Sequence, residues 1–534
     1  GMVVTAQHLA TRVGVDVLKD GGNAIDAAVA VGYALAVVYP AAGNLGGGGF
    51  MTIQLADGRR TFLDFREKAP LAAKADMYLG PDGNVVPNLS TKGHLAVGVP
   101  GSVSGFETAL AKYGTMKRAQ LIAPAIKYAE EGFALEQGDV DLLATATEDF
   151  RKDPATAAIF LKAGGVPYAA GDKLVQKDLA KTLARIRDEG AKGFYAGPVA
   201  AAIVASSQAG KGIITQADLD RYSTRELKPV ECDYRGLHVV SAPPPSSGGV
   251  VLCEMLNVLE GYPLKDWGFR SARAVHHQIE AMRHAYLDRN TTLGDPDFVK
   301  NPLDRLLDKA YAGQIRAAID PAHAGVSKAL RPGVPPHEIH EGSNTTHYSV
   351  IDRWGNAVSV TYTLNDWFGA KVTAGGTGVL LNNEMDDFTA KVGVPNLYGL
   401  VQGEANAIAP GKRMLTAMVP TIHIAMMARR MRLMRRPSVS PATRAGPPRP
   451  RVWRLGCAED RRGASSAWWG GRTPLSICLS AAGCRARPRR RRRACCPSAR
   501  SRRGPPVRHA GQGTAASSRF LPVPGRGCPA DAKA

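Results

Sequence analysis

The segment Asn344-Thr345-Thr346-His347-Tyr348-Ser349-Val350 holds the residues best placed for covalent chemistry. A threonine hydroxyl is a weak nucleophile unless a neighbouring base takes its proton, and a free α-amino group on the same residue can be that base. Thr345 meets that condition only once the Asn344–Thr345 bond is cut. Its surroundings suit such a cut. Residues 330–343 carry Pro332, Pro335, Pro336 and Gly342 and read as an exposed, extended linker, and a strand with alternating faces begins directly after it. A pair of threonines opening a strand is ordinary in itself; the junction of linker and strand sets this one apart.

Other patterns carry less. The run Gly46-Gly47-Gly48-Gly49 invites a phosphate-binding reading, but a dinucleotide fingerprint follows a strand and opens a helix. This run follows a helical pattern and opens a strand, which predicts a tight turn or close backbone packing. His276, His277 and His284 fall on a helical stretch and His337 and His340 in the linker, without companions at zinc-ligand spacing. They read as surface or core histidines, and no metal or other cofactor is expected. Cys232 and Cys253 read as buried free thiols.

The elements that must position Thr345 follow from the periodicity. A helix over 8–19 stops at Gly21-Gly22, and a second starts after Asn23, whose side chain can cap it. A strand over 50–55 turns at Asp57-Gly58 and returns through 61–66. From about 103 to 329 the pattern is mostly helical, interrupted at 243–249 (Pro-Pro-Pro-Ser-Ser-Gly-Gly), a loop that ends on a helix. Beyond the linker the period becomes two, with strands over 346–351 and 357–362 joined by a hairpin loop at 352–356. Helical layers with sheet before and after the linker predict an α/β fold of sheets covered by helices. The longest apolar run, 27–39, is too short to span a membrane and reads as a buried helix. The chain opens Gly1-Met2-Val3 and passes straight into helical pattern, without a signal-peptide pattern.

The 534 residues carry a net charge of +21, which would suggest a polyanionic partner if it were evenly spread. Residues 424–534 hold 25 Arg, one Lys and three acids, a net of +23, whereas residues 1–423 hold 42 basic and 44 acidic side chains. The body is therefore near neutral and no specific nucleic-acid partner is expected for it. At about residue 423 the helical and strand periods stop, and Arg, Pro, Gly and paired Cys take over. Three readings compete for this tail: a nucleic-acid-binding arm, a disordered solvated segment, or a GC-rich gene read out of frame. The last accounts for the abrupt onset, the Arg-to-Lys ratio and the loss of pattern together.

Several segments then act jointly: 43–50, Asp64-Phe65-Arg66-Glu67-Lys68-Ala69-Pro70, 243–249, Gly294-Asp295-Pro296-Asp297-Phe298, 345–350 and 382–388. With these, residues 1–422 closely resemble the γ-glutamyltransferases (glutathione hydrolases), N-terminal-nucleophile enzymes made as one precursor and self-cleaved into two subunits. The resemblance implies a four-layer αββα sandwich, with 1–344 as the large-subunit region, 345–422 as the start of the small-subunit region and 423–534 as an aberrant tail. It implies Thr345 as processing residue and nucleophile, Thr363 as its hydrogen-bonding partner and Arg66 as holder of the substrate α-carboxylate. Asn365, Glu384 and Asp387 would bind the α-ammonium, the two acids three apart on a loop, and Tyr398 would belong to a lid. Thr416 stands where many members have serine and could still donate a hydrogen bond; Ala417 beside it could not. The family's downstream Gly-Gly pair, whose N–H groups form an oxyanion hole, has no counterpart after Ile422 beyond the isolated Trp469-Gly470-Gly471.

The implied substrates are glutathione and other γ-glutamyl compounds, with water, amino acids or dipeptides as acceptors, and the implied location is periplasmic or secreted. The alternatives are a related acylase acting on β-lactam side chains, or a non-catalytic member whose tail binds polyanions.

Overall fold

The computed structural model describes residues 1–326 and 344–425, with the two-residue strand Cys478–Leu479. The linker over 330–343, with His337 and His340, and the readings made for the tail lie outside the described residues.

The helix Ala24–Val38 is organised from its first turn. Asn23 Oδ1 accepts the N–H groups of Ile25 and Asp26, and the Asp26 carboxylate accepts Asn23 N–H in return, a reciprocal cap. All fifteen residues of this helix are buried, as a helix apolar on every side requires. It packs on His8–Lys19 and Arg118–Glu131 and lies against a sheet, where Tyr348 and Tyr362 donate their hydroxyls to Ala28 O and Gly32 O, both at 3.0 Å.

That sheet has six antiparallel strands in the order Met2–Val4, Thr346–Ile351, Ala357–Thr363, Gly48–Gln54, Arg60–Phe65 and Arg225–Leu227. A second sheet orders Cys478–Leu479, Ile422–Ala425, Leu237–Ser241 and Val230–Tyr234. Phe50 and Phe62 of the first sheet form one buried cluster with Ala242 and Met418, which adjoin the second. Thr52 Oγ1 donates to Pro420 O at 2.7 Å on the same side. The α/β class, the two opening helices, both hairpins and the loop that ends on the helix Gly248–Glu260 are as expected.

Four expectations need correction. The chain does not begin in helix: Met2–Val4 adds an edge strand, and three residues are too few for a period to show. The stretch read as mostly helical contains strands at Arg225–Leu227, Val230–Tyr234 and Leu237–Ser241. Val230–Tyr234 alternates buried and more exposed residues, and Arg235-Gly236, both at positive φ, makes a tight turn into Leu237–Ser241. Cys232 and Cys253 are not free thiols but a disulfide with Cα atoms 5.9 Å apart. The helix Gly248–Glu260 packs on Val230–Tyr234 and brings Cys253 over Cys232, a juxtaposition that 21 residues of intervening sequence do not reveal. Strand pairing also continues past residue 423, since Ile422–Ala425 runs antiparallel to Leu237–Ser241. His277 is a core histidine, packed between Tyr262 and Trp267.

Candidate active site

The position of Thr345 follows from strand register. Ala357–Thr363 lies between Thr346–Ile351 and Gly48–Gln54, with Tyr362 opposite Thr346 and Thr363 opposite Gly48. The glycine run does what its placement predicted. A Cβ on Gly47 would stand 2.1 Å from Thr363 O, and one on Gly49 would stand 2.4 Å from Thr361 O. Backbone thus packs directly behind Thr363, and Asn44 Nδ2 holds Thr363 O at 2.9 Å.

Thr345 is exposed, and Thr363 is buried. The Thr345 hydroxyl donates to Thr363 Oγ1 at 3.2 Å, and Asn365 N–H donates to the same oxygen at 2.9 Å. Thr363 in turn donates to Asn344 O, the carbonyl of the Asn344–Thr345 bond, at 3.3 Å. One buried hydroxyl therefore touches both the candidate nucleophile and the carbonyl beside it, with its orientation fixed by a main-chain donor. Asn365 sits at φ +79°, donates its side-chain amide to Asn383 O at 3.0 Å, and receives the Tyr398 hydroxyl on its carbonyl at 2.8 Å. Thr345, Thr363, Asn365 and Tyr398 are thus brought together.

Arg66, Glu384 and Asp387 form the second cluster. Glu384 and Asp387 share one 3₁₀ turn, Glu384–Asp387, rather than the expected loop, because Asn382 Oδ1 accepts Glu384 N–H and starts the turn. Arg66 is fully buried and pairs with Glu384 Oε2 at 2.5 Å, with Asp387, and with Glu67 at 3.3 Å. Three carboxyl groups thus surround one guanidinium. Burial pushes the Glu67 carboxyl up to about 7, and burial likewise raises Glu384 and Asp387 while Arg66 opposes it. Glu67 Oε1 and Glu384 Oε1 are buried with no hydrogen-bond partner among the described residues. The cluster holds more carboxyl groups than cations.

Behind it lies a network of three aspartates and two arginines. Asp64 accepts Arg66 N–H at 2.9 Å and pairs with Arg225 at 2.7 Å and Arg413 at 3.4 Å. Arg225 reaches on to Asp295 at 3.0 Å and Asp297 at 2.6 Å, and Asp295 accepts Arg413 N–H at 2.8 Å. The 64–70 and 294–298 segments are thereby two ends of one charge network.

Thr416 is placed differently. Its carbonyl receives Ser247 N–H at 2.8 Å and the Ser247 hydroxyl at 2.7 Å, and its own hydroxyl accepts Met418 N–H at 3.3 Å. It ties its segment to the 243–249 loop. Residues the sequence reading did not assign are Glu67, Asn383 and Asp366. Asn383 joins the two clusters, since its carbonyl takes Asn365 Nδ2 and its Oδ1 takes Asp366 N–H at 3.0 Å. A charged Asp366 at the end of an apolar strand was the available signal.

Known proteins resemble this chain in sequence and in fold. A family model described as Gamma-glutamyltranspeptidase matches residues 10–433. A glutathione hydrolase proenzyme of Pseudomonas sp. (strain A14) is 72% identical over 422 residues, 79% of this chain and 73% of that relative. The crystal structure of Helicobacter pylori γ-glutamyltranspeptidase is 50% identical with a TM-score of 0.62, over 64% of this chain and 98% of that one. A cephalosporin acylase from Bacillus halodurans is 27% identical with a TM-score of 0.66, over 79% and 74%. The match over most of its length, at this identity, means that the chain belongs to the γ-glutamyltranspeptidase family, whose relatives include glutathione hydrolase proenzymes.

Proposed function

We propose that Thr345 cuts the Asn344–Thr345 bond and, as a new N-terminus, attacks γ-glutamyl carbonyls, those of glutathione first among them. The γ-glutamyl group then rests on Thr345 as an ester, which water, an amino acid or a dipeptide resolves. The observation that carries this reading is the Thr363 hydroxyl, bonded at once to Thr345 Oγ1 and to the Asn344 carbonyl oxygen. The freed α-amino group of Thr345 supplies the base that a threonine nucleophile needs. The steps call on the Thr345 α-amino group, on side chains and on water.

Arg66 would hold the substrate α-carboxylate by two parallel bonds. Asn365, Glu384 and Asp387 would take the α-ammonium, Tyr398 would close over the glutamyl group, and Thr416 would fix the wall beneath it. Substrate entry would exchange internal ion pairs for pairs with the ligand, and the ammonium would offset the carboxylate excess. That excess favours a γ-glutamyl group over an acyl group without an ammonium, and so disfavours the β-lactam acylase reading.

The cut would leave a large subunit ending at Asn344 and a small one beginning at Thr345, within a four-layer αββα sandwich. The Cys232–Cys253 disulfide supports a periplasmic or secreted location, since such bonds persist in oxidising compartments. A denaturing gel with N-terminal sequencing, paired with release from a chromogenic γ-glutamyl anilide, tests the reading. A smaller fragment beginning Thr-Thr-His-Tyr is expected. A chain that stays whole, or one cut elsewhere, overturns it.

A further inference from the structure

The side chain of Asn344 is held as firmly as its carbonyl. Asn344 Nδ2 donates to Asp366 Oδ1 at 2.7 Å. The same oxygen accepts Trp367 N–H at 2.9 Å, and Asp366 Oδ2 accepts the Lys371 ammonium at 2.7 Å. Lys371 is buried, and its remaining donors go to the carbonyls of Trp367 and Gly369. Asp366 N–H is fixed in turn on Asn383.

This loop is an expensive way to leave a strand. Asn365, Phe368 and Lys371 all lie at positive φ, a conformation residues with a Cβ rarely adopt. A buried ammonium is unfavourable unless paired and fully hydrogen-bonded, and here that condition is met by one carboxylate and two carbonyls. What the arrangement delivers is a carboxylate held by three donors, one of them the side chain of the residue before Thr345. Strain of this kind gathers at functional sites.

We infer that Asp366, backed by Lys371, is a positioning residue for self-cleavage: it clamps the Asn344 side chain so that the Asn344 carbonyl stays on the Thr363 hydroxyl beside Thr345. The inference rests on the cleavage proposed above. In that reaction Thr345 Oγ1 bonds to the Asn344 carbonyl carbon, the Asn344–Thr345 C–N bond breaks, and the hydroxyl proton ends on the departing Thr345 nitrogen. Water then cleaves the ester, returning a proton to Oγ1 and leaving a carboxylate on Asn344. Asp366 touches none of the reacting atoms. Its contribution is to fix the backbone torsions of Asn344, worth about a tenfold rate. Once the bond is cut, the clamp has nothing left to orient, so it belongs to maturation and not to γ-glutamyl transfer.

The test is a time course of cleavage of the freshly purified full chain on a denaturing gel. Wild type is compared with Asp366→Asn, Asn344→Ala and the double variant. Asp366→Asn and Asn344→Ala should each slow cleavage about tenfold, and the double variant should be no slower than the slower single one, because the clamp acts through Asn344. If Asp366→Asn slows the Asn344→Ala chain by the same factor as it slows wild type, its role is merely structural and the inference fails. Asn344→Ala leaves the loop intact, so cleavage of that variant at the wild-type rate overturns the clamp even if Asp366→Asn misfolds. A wild-type chain that is never cut overturns the proposed function together with the clamp. A wild-type chain that is cut, with variants cut at the same rate, overturns the clamp alone.

Discussion

Around Thr345 the groups are neutral hydroxyls and amides held by strand register, and Thr345, the proposed nucleophile, is exposed. Around Arg66 they are ionic and sealed from water, drawn from Arg66 and Glu67 at the end of one strand and from the Glu384–Asp387 turn. The neutral half depends on main-chain geometry. The charged half depends on burial, and its carboxyl groups are kept away from their ordinary ionisation until a counter-charge compensates them. Under the proposed function, bond-making and recognition would be separable within one site, with Asn383 as the join.

The sharpest way to break that comparison is Thr345→Ala. Cleavage at Asn344–Thr345 should fall by about 10³ or more, as expected when a nucleophile is lost, while the ion pairs of Arg66 and the urea unfolding midpoint stay unchanged. A Thr345→Ala chain cut at the same bond would show that another group does the processing. A second, smaller effect concerns turnover. The family resemblance implies an oxyanion-hole Gly-Gly pair that the sequence after Ile422 does not match, and one such donor is worth about 10²–10³ in rate. Replacing the residues beyond 425 with the corresponding segment of the Pseudomonas relative should raise γ-glutamyl anilide release by that factor. Equal rates from the two chains would retire the oxyanion argument.

The two halves also differ in how far the sequence revealed them. The Thr345 half was legible because its signal is local: a Pro-rich linker, a strand of period two and a glycine run whose helix-then-strand order excludes a nucleotide loop. Arg66, Glu384 and Asp387 were reached through the resemblance, since their contacts span more than 300 residues of sequence. No periodicity reports a contact at that distance. Glu67 escaped because an acid beside an arginine in sequence reads as an ordinary surface pair, whereas here both are fully buried. The strands over 225–241 escaped because three segments this short do not sustain a period. The disulfide escaped because pairing depends on how a helix crosses a strand.

Arg66→Lys sharpens the comparison from the charged side. It keeps the charge and loses the planar two-donor geometry, so binding of glutathione measured by calorimetry should weaken about 10- to 100-fold, the loss of one charge-assisted bond. Self-cleavage should persist, because no atom of Arg66 touches Thr345 or Thr363 in the hydrogen-bond pattern described above. Unchanged affinity in a purified, cleaved variant would remove Arg66 from the substrate site. Loss of cleavage with retained folding would mean that the two halves are not separable after all.

The smallest effect comes from a buried carboxyl that faces another carboxylate instead of a guanidinium. Glu254, on the helix Gly248–Glu260, is almost fully buried and faces Asp288 of the helix Ala272–Thr292. Asp288 is already engaged by Arg305 at 3.1 Å and by the Tyr311 hydroxyl at 2.6 Å. Burial, followed by the charge of Asp288, pushes the Glu254 carboxyl up to about 9. The folded chain therefore keeps a proton on Glu254 over a range in which the unfolded chain, ionising near the ordinary value of about 4.3, has lost it. This contribution to stability is complete below that ordinary value and shrinks as pH rises towards 9. Glu254→Gln cannot ionise and retains a donor for Asp288, so it should match wild type in urea unfolding at pH 4.5. At pH 8 it should be the more stable by on the order of 2 kcal/mol. A variant whose advantage does not grow with pH would show that Glu254 is ionised in the fold. Burial without a paired cation would then not be what separates this carboxyl from those around Arg66.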